Sequence, residues 1–344
     1  MCKIKTQILS EKDVAVAAQI LKSGGLVAIP TETVSYTLYG LAADALNETA
    51  IKKIFAAKGR PSDNPLIVHI SEVDEIYNLV SEFTKEAQKL ADAFWPGPLT
   101  MILKKSSAIP NIISGGLDSV AIRLPDNVVA RKIIKEAGCP LAAPSANLSG
   151  SPSPTKAEHV ISDLFGKIDA IIDSGICNIG VESTVISLCT EIPKILRPGA
   201  ITLRQLQNIL GEVDVDAAVL NKLDENAQPL SPGMKYKHYA PKAKVIILNG
   251  SREKYINYVN DHASNTVAAL CYDEDVKDLK TAVITFGREN DLNSQAEKLF
   301  NALREIDKMS NIDVVYSRCP AKEGIGLAVY NRLIRAAGFN IINL

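Results

Sequence analysis

The sequence is poor in aromatic residues, at 5%, and its charges nearly cancel, leaving a net charge of −1. Both features argue against a surface built to coat nucleic acid, although a local basic patch stays open. Six cysteines (Cys2, Cys139, Cys177, Cys189, Cys271 and Cys319) are scattered without a C-x-x-C pair. A chain of 344 residues has no need of disulfide staples, so a reduced, cytoplasmic setting is expected, with most thiols acting as small core residues. No uncharged apolar run approaches the length of a membrane span. The first residues carry Lys3, Lys5, Glu11, Lys12 and Asp13 where a secretory leader would be apolar, so a soluble, unsecreted protein is expected. There is also no Walker loop, no G-x-G-x-x-G after the first strand, no zinc-ligand spacing and no G-x-S-x-G elbow. No side-chain nucleophile stands beside an obvious base. What remains is chemistry done by positioning and charge neutralisation, such as attack on a phosphorus.

What is present is an alternation of short apolar strands with amphipathic helices. Hydrophobic residues make up 47%, enough for a substantial core, and the length predicts about two domains. Ser10 with Asp13 predicts a helix cap, followed by Val14, Ala17, Ala18 and Leu21 on one face and a stop at Gly24-Gly25. Asn47, Thr84, Asn127, Thr155 and Thr202 are read as further helix caps, with strands at 26–29, 66–70, 99–103, 120–124, 141–143, 170–172, 184–188 and 194–196. Several strands follow one another without a helix between them, which predicts a mixed sheet in an α/β fold. Periodicity fades from Gly211 to Pro241 and restarts at Lys242. The predicted division is a catalytic domain over 1–210, a linker or lid over 211–241, and a smaller α/β domain over 242–344.

Several polar constellations punctuate the first domain. Lys58-Gly59-Arg60-Pro61-Ser62-Asp63-Asn64-Pro65 leads into a short strand ending at His69. The paired cations, with a glycine and stiffening prolines, either cradle an anion or form a surface loop with incidental charge. Pro30-Thr31-Glu32-Thr33-Val34 follows a strand, where open α/β sheets bind ligands, and reads otherwise as a simple turn. Arg123 sits inside the apolar run from Ser119 to Pro125, a costly placement unless it is paired with a carboxylate or grips a ligand's anion. Pro144-Ser145-Ala146-Asn147-Leu148-Ser149-Gly150-Ser151-Pro152-Ser153 is dense in donors able to line a phosphate or ribose. Glu182-Ser183-Thr184 opens a strand, and Arg197-Pro198-Gly199 closes the next. In the linker, Ser231 to Pro241 carries Tyr236, His238 and Tyr239 among lysines and prolines, and reads either as a lid or as a basic linker.

Taken in order with Trp95-Pro96-Gly97-Pro98-Leu99-Thr100, these segments resemble the YrdC-like family in its longer form, the two-domain threonylcarbamoyl-adenylate synthases. The resemblance covers essentially the whole chain. It implies a twisted, mixed open sheet with helices around a basic concave cavity, and a smaller Rossmann-like C-terminal domain. It also implies a nucleotidyltransferase that makes threonylcarbamoyl-AMP and pyrophosphate from L-threonine, bicarbonate or CO2, and ATP. A partner complex would then modify tRNA beside the anticodon; whether tRNA touches this protein stays open. By position in the family pattern, Thr33, His69, Arg123, Ala143 and Ser183 would hold threonine. Arg60, Asn64, Ser119, Ser145, Ser153, Arg197 and Tyr239 would hold ATP, with Lys58 and Arg60 as the catalytic cations. Mg²⁺ would arrive bridging the phosphates, with no dedicated protein ligands. One departure stands beside the site: Ser35-Tyr36-Thr37-Leu38 lengthens the family's Pro-Thr-Glu-Thr-Val-Tyr-Gly-Leu pattern, so either Thr33 or Thr37 takes the threonine-pocket position. The rival reading is an RNA-binding module using the same concavity.

Overall fold

In the computed structural model the described residues are 4–31, 38–174, 181–224, 228–232, 234 and 239–344. The chain begins with strand β1 (Gln7–Ser10) and helix α1 (Val14–Lys22), then β2 (Val27–Pro30) and β3 (Tyr39–Asp44). Helix α1 buries Val14, Ala17, Ala18 and Leu21, a stripe at i, i+3, i+4 and i+7. That stripe packs on Ala130, Ile133, Ile134 and Ala137 of a later helix. Ser10 does not cap it. Ser10 ends β1, and the Asp13 carboxylate reaches back to accept from the Ser10 amide and hydroxyl, both at 2.7 Å. Pairing of β1 with a neighbouring strand claims Ser10 before the helix can.

Helix α2 (Glu48–Lys58) shows why its sequence is helical and where it must stop. Asn47 Oδ1 accepts from the amides of Thr49 and Ala50, and Gly59 closes the helix at φ 63°, a left-handed conformation that glycine adopts freely. The chain continues through β4 (Ile67–His69), α3 (Lys85–Phe94), β5 (Leu99–Lys104), α4 (Asn111–Ser114), β6 (Ser119–Arg123), α5 (Val128–Ala137) and β7 (Leu141–Ala142). Next come α6 (Ala157–Leu164), β8 (Ala170–Asp173), β9 (Thr184–Ser187), β10 (Lys194–Arg197) and α7 (Leu203–Leu210). Thr155 is not the cap of α6. The helix starts two residues later, and the Thr155 amide donates to His159 Nδ1 at 3.2 Å, so the ring satisfies that turn instead. The expected caps at Thr84, Asn127 and Thr202 do accept from the first turns of their helices.

These strands, with β11 (Asp214–Val215), form one mixed sheet of 11 strands in the order β1-β8-β2-β3-β7-β4-β6-β5-β9-β10-β11. The stretch from Gly211 onward therefore adds an edge strand, parallel to β10, before it leaves the sheet. A second sheet follows, built from β12 (Lys244–Asn249), β13 (Val267–Cys271), β14 (Ala282–Thr285), β15 (Val314–Arg318) and β16 (Ile341–Asn343). Its strands are all parallel, in the order β14-β13-β15-β12-β16. Helices α8 (Arg252–Asp261), α9 (Leu292–Lys308) and α10 (Gly326–Ala336) supply three of its four crossovers, and a 3-10 helix over Asp273–Asp278 the fourth. The apolar core of this second unit is continuous with Leu38, Val181 and Tyr239 from earlier in the chain. Among the described residues, no helix is long and apolar enough to cross a membrane.

Candidate functional site

The middle of the first sheet creates the site. Strands β4 and β6 run parallel, and their register sets His69 beside Arg123 at the ends of both strands. Both side chains are buried, at 3% and 6% exposed. Burial pushes the His69 imidazole down to about 4, so the ring is neutral at physiological pH. Its Nδ1 has no hydrogen-bond partner among the described residues. Arg123 Nε donates to the Gly97 carbonyl at 3.1 Å, which anchors the guanidinium at the mouth of β5.

Strands β9 and β10 supply the opposite wall. Their antiparallel register slips between Ile195 and Arg197, a bulge that re-aims the arginine. Arg197 Nε and Nη2 donate to the Ser183 carbonyl at 3.1 and 3.0 Å, and Nη2 also to Ser183 Oγ at 2.9 Å. Ser183 Oγ is in turn 2.8 Å from Thr100 Oγ1. Gly199 lets this hairpin close: a Cβ there would stand 2.4 Å from the Glu182 carbonyl and the Thr184 amide.

Helix α2 and the turn at Gly59 deliver the third cation. Arg60 Nη2 donates to the Pro65 carbonyl at 3.0 Å, which folds the loop back on itself. Burial is the main cause that pulls all three guanidinium groups below the usual arginine range, Arg60 to about 10 and Arg123 to about 9. Arg60 and Arg123 therefore keep their charge at neutral pH.

These elements enclose one hollow of about 70 Å³. Of the residues singled out from sequence, Arg60, His69, Arg123 and Ala143 line it, as do Ser145, Ser183, Arg197 and Tyr239. Four others do not line it. Lys58 is buried and donates to the carbonyls of Ser145 and Asn147, the latter at 2.6 Å, so its ammonium holds the 145–147 loop. Burial drives its pKa well below the usual lysine range. Asn64 is buried beneath the Arg60 loop and accepts from Arg60 through its carbonyl. Ser153 donates to Glu182 Oε1 at 3.2 Å. Ser119 begins β6 and Arg123 ends it, so the two lie roughly 13 Å apart along the strand. Thr33, Thr37 and Tyr236 lie outside the described residues. At the base of the lengthened loop, Thr31 Oγ1 donates to the Leu38 carbonyl at 2.7 Å, and Thr31 and Leu38 both line the hollow.

Glu182 also lines the hollow, although the sequence does not mark it as a binding residue. Glu182 Oε2 accepts from Tyr239 Oη at 2.7 Å and from Arg332 Nε of α10 at 3.0 Å. Tyr239 itself is held at φ 64°, a left-handed backbone that a bulky residue seldom adopts. Among the described residues no cluster of three His, Cys, Asp or Glu side chains is arranged to hold a metal ion. The arrangement can take a compact anionic ligand against three fixed guanidinium groups, with a neutral imidazole and hydroxyls at its side.

Comparison with known proteins places these features in a lineage. The profile of the Sua5/YciO/YrdC family, described as telomere recombination, matches residues 19–199. A second profile, described as the C-terminal domain of threonylcarbamoyl-AMP synthase, matches residues 201–338. A protein of Pyrococcus abyssi named threonylcarbamoyl-AMP synthase is 43% identical over 98% of this chain and 97% of its own length. One of the same name from Bacillus subtilis is 44% identical, again over 98% and 97%. The crystal structure of P. abyssi Sua5 complexed with L-threonine superposes with a TM-score of 0.89 at 43% identity, covering 98% of this chain and all of that one. With both profiles in chain order and full-length relatives at this identity, the chain belongs to the Sua5/YciO/YrdC family, in the form that carries the Sua5 C-terminal domain.

Proposed function

We propose that the protein is an L-threonylcarbamoyladenylate synthase, a nucleotidyltransferase acting in tRNA threonylcarbamoyladenosine modification. The observation that carries the reading is the meeting of Arg60, Arg123 and Arg197 around one hollow, in a chain that matches synthases of that name end to end. The threonine in the P. abyssi Sua5 structure supports assigning part of the hollow to the amino acid.

The concavity is basic, and its two ends suit two ligands. Arg123 grips the threonine carboxylate as a planar fork. His69, neutral and with Nδ1 otherwise unbonded among the described residues, stands ready for a polar group of the same amino acid, with Ala143 and Ser183 shaping the pocket. Thr33 or Thr37 completes it. The threonine amine attacks CO2 and loses a proton to give a carbamate. A carbamate oxygen then attacks the α-phosphorus of ATP, the bond to the bridging oxygen breaks, and pyrophosphate departs. Arg60 and Arg197 spread the developing phosphate charge, with Ser145 and Tyr239 beside them. Lys58 supports this wall through the 145–147 loop, and Asn64, Ser119 and Ser153 complete the nucleotide's surroundings. ATP enters with Mg²⁺ on its phosphates, as hard cations bind where no protein cage exists.

The carbamate decomposes in water, so the linker segment around Tyr239 serves to exclude solvent during the reaction. The adenylate then passes to a tRNA-modifying complex in the cytoplasm. The all-parallel C-terminal sheet supports the Rossmann-like reading in its strand direction, although β15 lies between β13 and β12, strands that are adjacent in a Rossmann sheet. The RNA-binding alternative has less support, since its full-length relatives are named as synthases. Arg60→Ala and Arg197→Ala test the reading: each is expected to abolish ATP turnover to pyrophosphate while the protein stays folded. Wild-type rates in both would overturn it.

A further inference from the structure

Besides its apolar contacts with Leu38, Val181 and Tyr239, the C-terminal unit meets the wall of the hollow through polar groups of α10. This helix is apolar except for a cluster of buried polar side chains. Asn331 donates to the Val219 carbonyl at 2.7 Å, and Arg335 donates to the carbonyls of Met234 and Ala218, both at 2.7 Å. These contacts fasten α10 to the linker. Arg332 goes further. It is fully buried, and its Nη1 donates to the Pro198 carbonyl at 2.6 Å and to Asn331 Oδ1 at 3.0 Å. Its Nε donates to the Glu182 carboxylate, which lines the hollow.

Among the described residues, Glu182 meets two guanidinium groups of different standing. Arg332 and Tyr239 bond Oε2 at 3.0 and 2.7 Å, whereas Arg197 Nη1 stops at 3.9 Å, beyond hydrogen-bond reach. The Arg197–Glu182 contact is thus an ion pair without a hydrogen bond, and a carboxylate free to close on Arg197 would hydrogen-bond Nη1 and compete with any anionic ligand. We propose that Arg332 is a positioning residue for the nucleotide, keeping Glu182 in a loose ion pair with Arg197, short of a hydrogen bond, so that the Arg197 guanidinium stays available to phosphate. This rests on the synthase reading given above, and it gives the C-terminal unit a defined part in ATP binding.

The test uses the full-length chain with ATP as the titrant. Calorimetric ATP binding and separate KM values for ATP and threonine are measured for wild type, Arg332→Met, Arg332→Lys and the double variant Arg332→Met/Glu182→Gln, with melting curves to confirm folding. Arg332→Met is expected to weaken ATP about tenfold or more while threonine KM shifts by less than about threefold. Removing the competing carboxylate in the double variant is expected to return ATP affinity to within about threefold of wild type, and Arg332→Lys, which keeps the charge but cannot bond Glu182 and Pro198 at once, to fall between wild type and Arg332→Met. A merely structural role predicts the opposite order, with the double variant weaker than the single. ATP binding that is unchanged in Arg332→Met, or not rescued in the double variant, overturns the inference alone. If Arg332→Met does not stay folded, Arg332→Gln carries the same expectation. A wild-type chain that binds no ATP overturns the synthase reading, and this inference with it.

Discussion

His69 and Arg123 are register partners on adjacent parallel strands, so one sheet contact fixes a neutral ring beside a cation at the wall of the same hollow. A one-residue slip of either strand would turn its side chain to the other face of the sheet. The geometry of the presumed amino-acid pocket is therefore set by backbone pairing, and substitutions at these two positions should act on the ligand more than on the fold's outline.

Arg123→Gln keeps the planar hydrogen-bonding end but removes the charge. Threonine KM is expected to rise at least about tenfold, the worth of a charge-assisted bond to a carboxylate, with ATP KM nearly unchanged. Steady-state kinetics with each substrate varied in turn checks this. An equal rise in both KM values would move Arg123 out of the amino-acid pocket.

Acid should destabilise the protein through its buried histidines. Burial holds His69 and His159 at about 4, below the 6.5 of an exposed ring. Between those values the unfolded chain binds protons that the native rings refuse, so stability rises with pH there and is lost as pH falls from 6.5 toward 4. A shift of this size at His69 corresponds to about 3 kcal/mol. Denaturant melts of wild type and His69→Gln at pH 7.5 and pH 4.5 should show a smaller acid loss in the variant. Equal losses would mean that the native ring titrates normally.

Lys58→Met removes the ammonium that joins helix α2 to the carbonyls of Ser145 and Asn147. Buried carbonyls left without a donor cost ~2–4 kcal/mol in total. Chemical denaturation should report that loss, and turnover should fall even where the variant is fully folded, because the Ser145 loop forms part of the wall.

Gly199→Ala tests the hairpin that aims Arg197. The added methyl would meet backbone atoms of Glu182, Ser183 and Thr184 at 2.4 to 2.6 Å, and backbone cannot yield as a side chain can. Overpacking of this kind costs about 2–3 kcal/mol, and ATP turnover should drop with it. A variant as stable and active as wild type would mean that the hairpin tolerates displacement.

How much of this was legible in the sequence follows from how local each signal is. Helix α2 could be read end to end because Asn47 starts it and Gly59 stops it within the same short stretch. Arg123 could be read as special because a charge inside an apolar strand demands a partner. Arg332 carries the same signature among Leu333, Ile334 and Ala336, yet its partner Glu182 lies 150 residues away, and no local pattern names it. Strand β11 has two residues and β16 three, too few for alternation to register. Ser10 and Thr155 have cap-like sequences, but strand pairing in one case and the His159 ring in the other took over the backbone groups that a cap would satisfy. The sequence shows the Lys58 side chain beside Arg60 but not that the carbonyls of Ser145 and Asn147 surround it.

The most direct measurement follows the carbon of bicarbonate. The wild-type protein is incubated with Mg²⁺, ATP, L-threonine and carbon-13 bicarbonate, and the products are analysed by mass spectrometry alongside a pyrophosphate assay. The account predicts an AMP adduct containing both threonine and the labelled carbon, formed with an equivalent of pyrophosphate and absent when threonine is omitted. Pyrophosphate released without threonine, or an adduct that lacks the label, would contradict it.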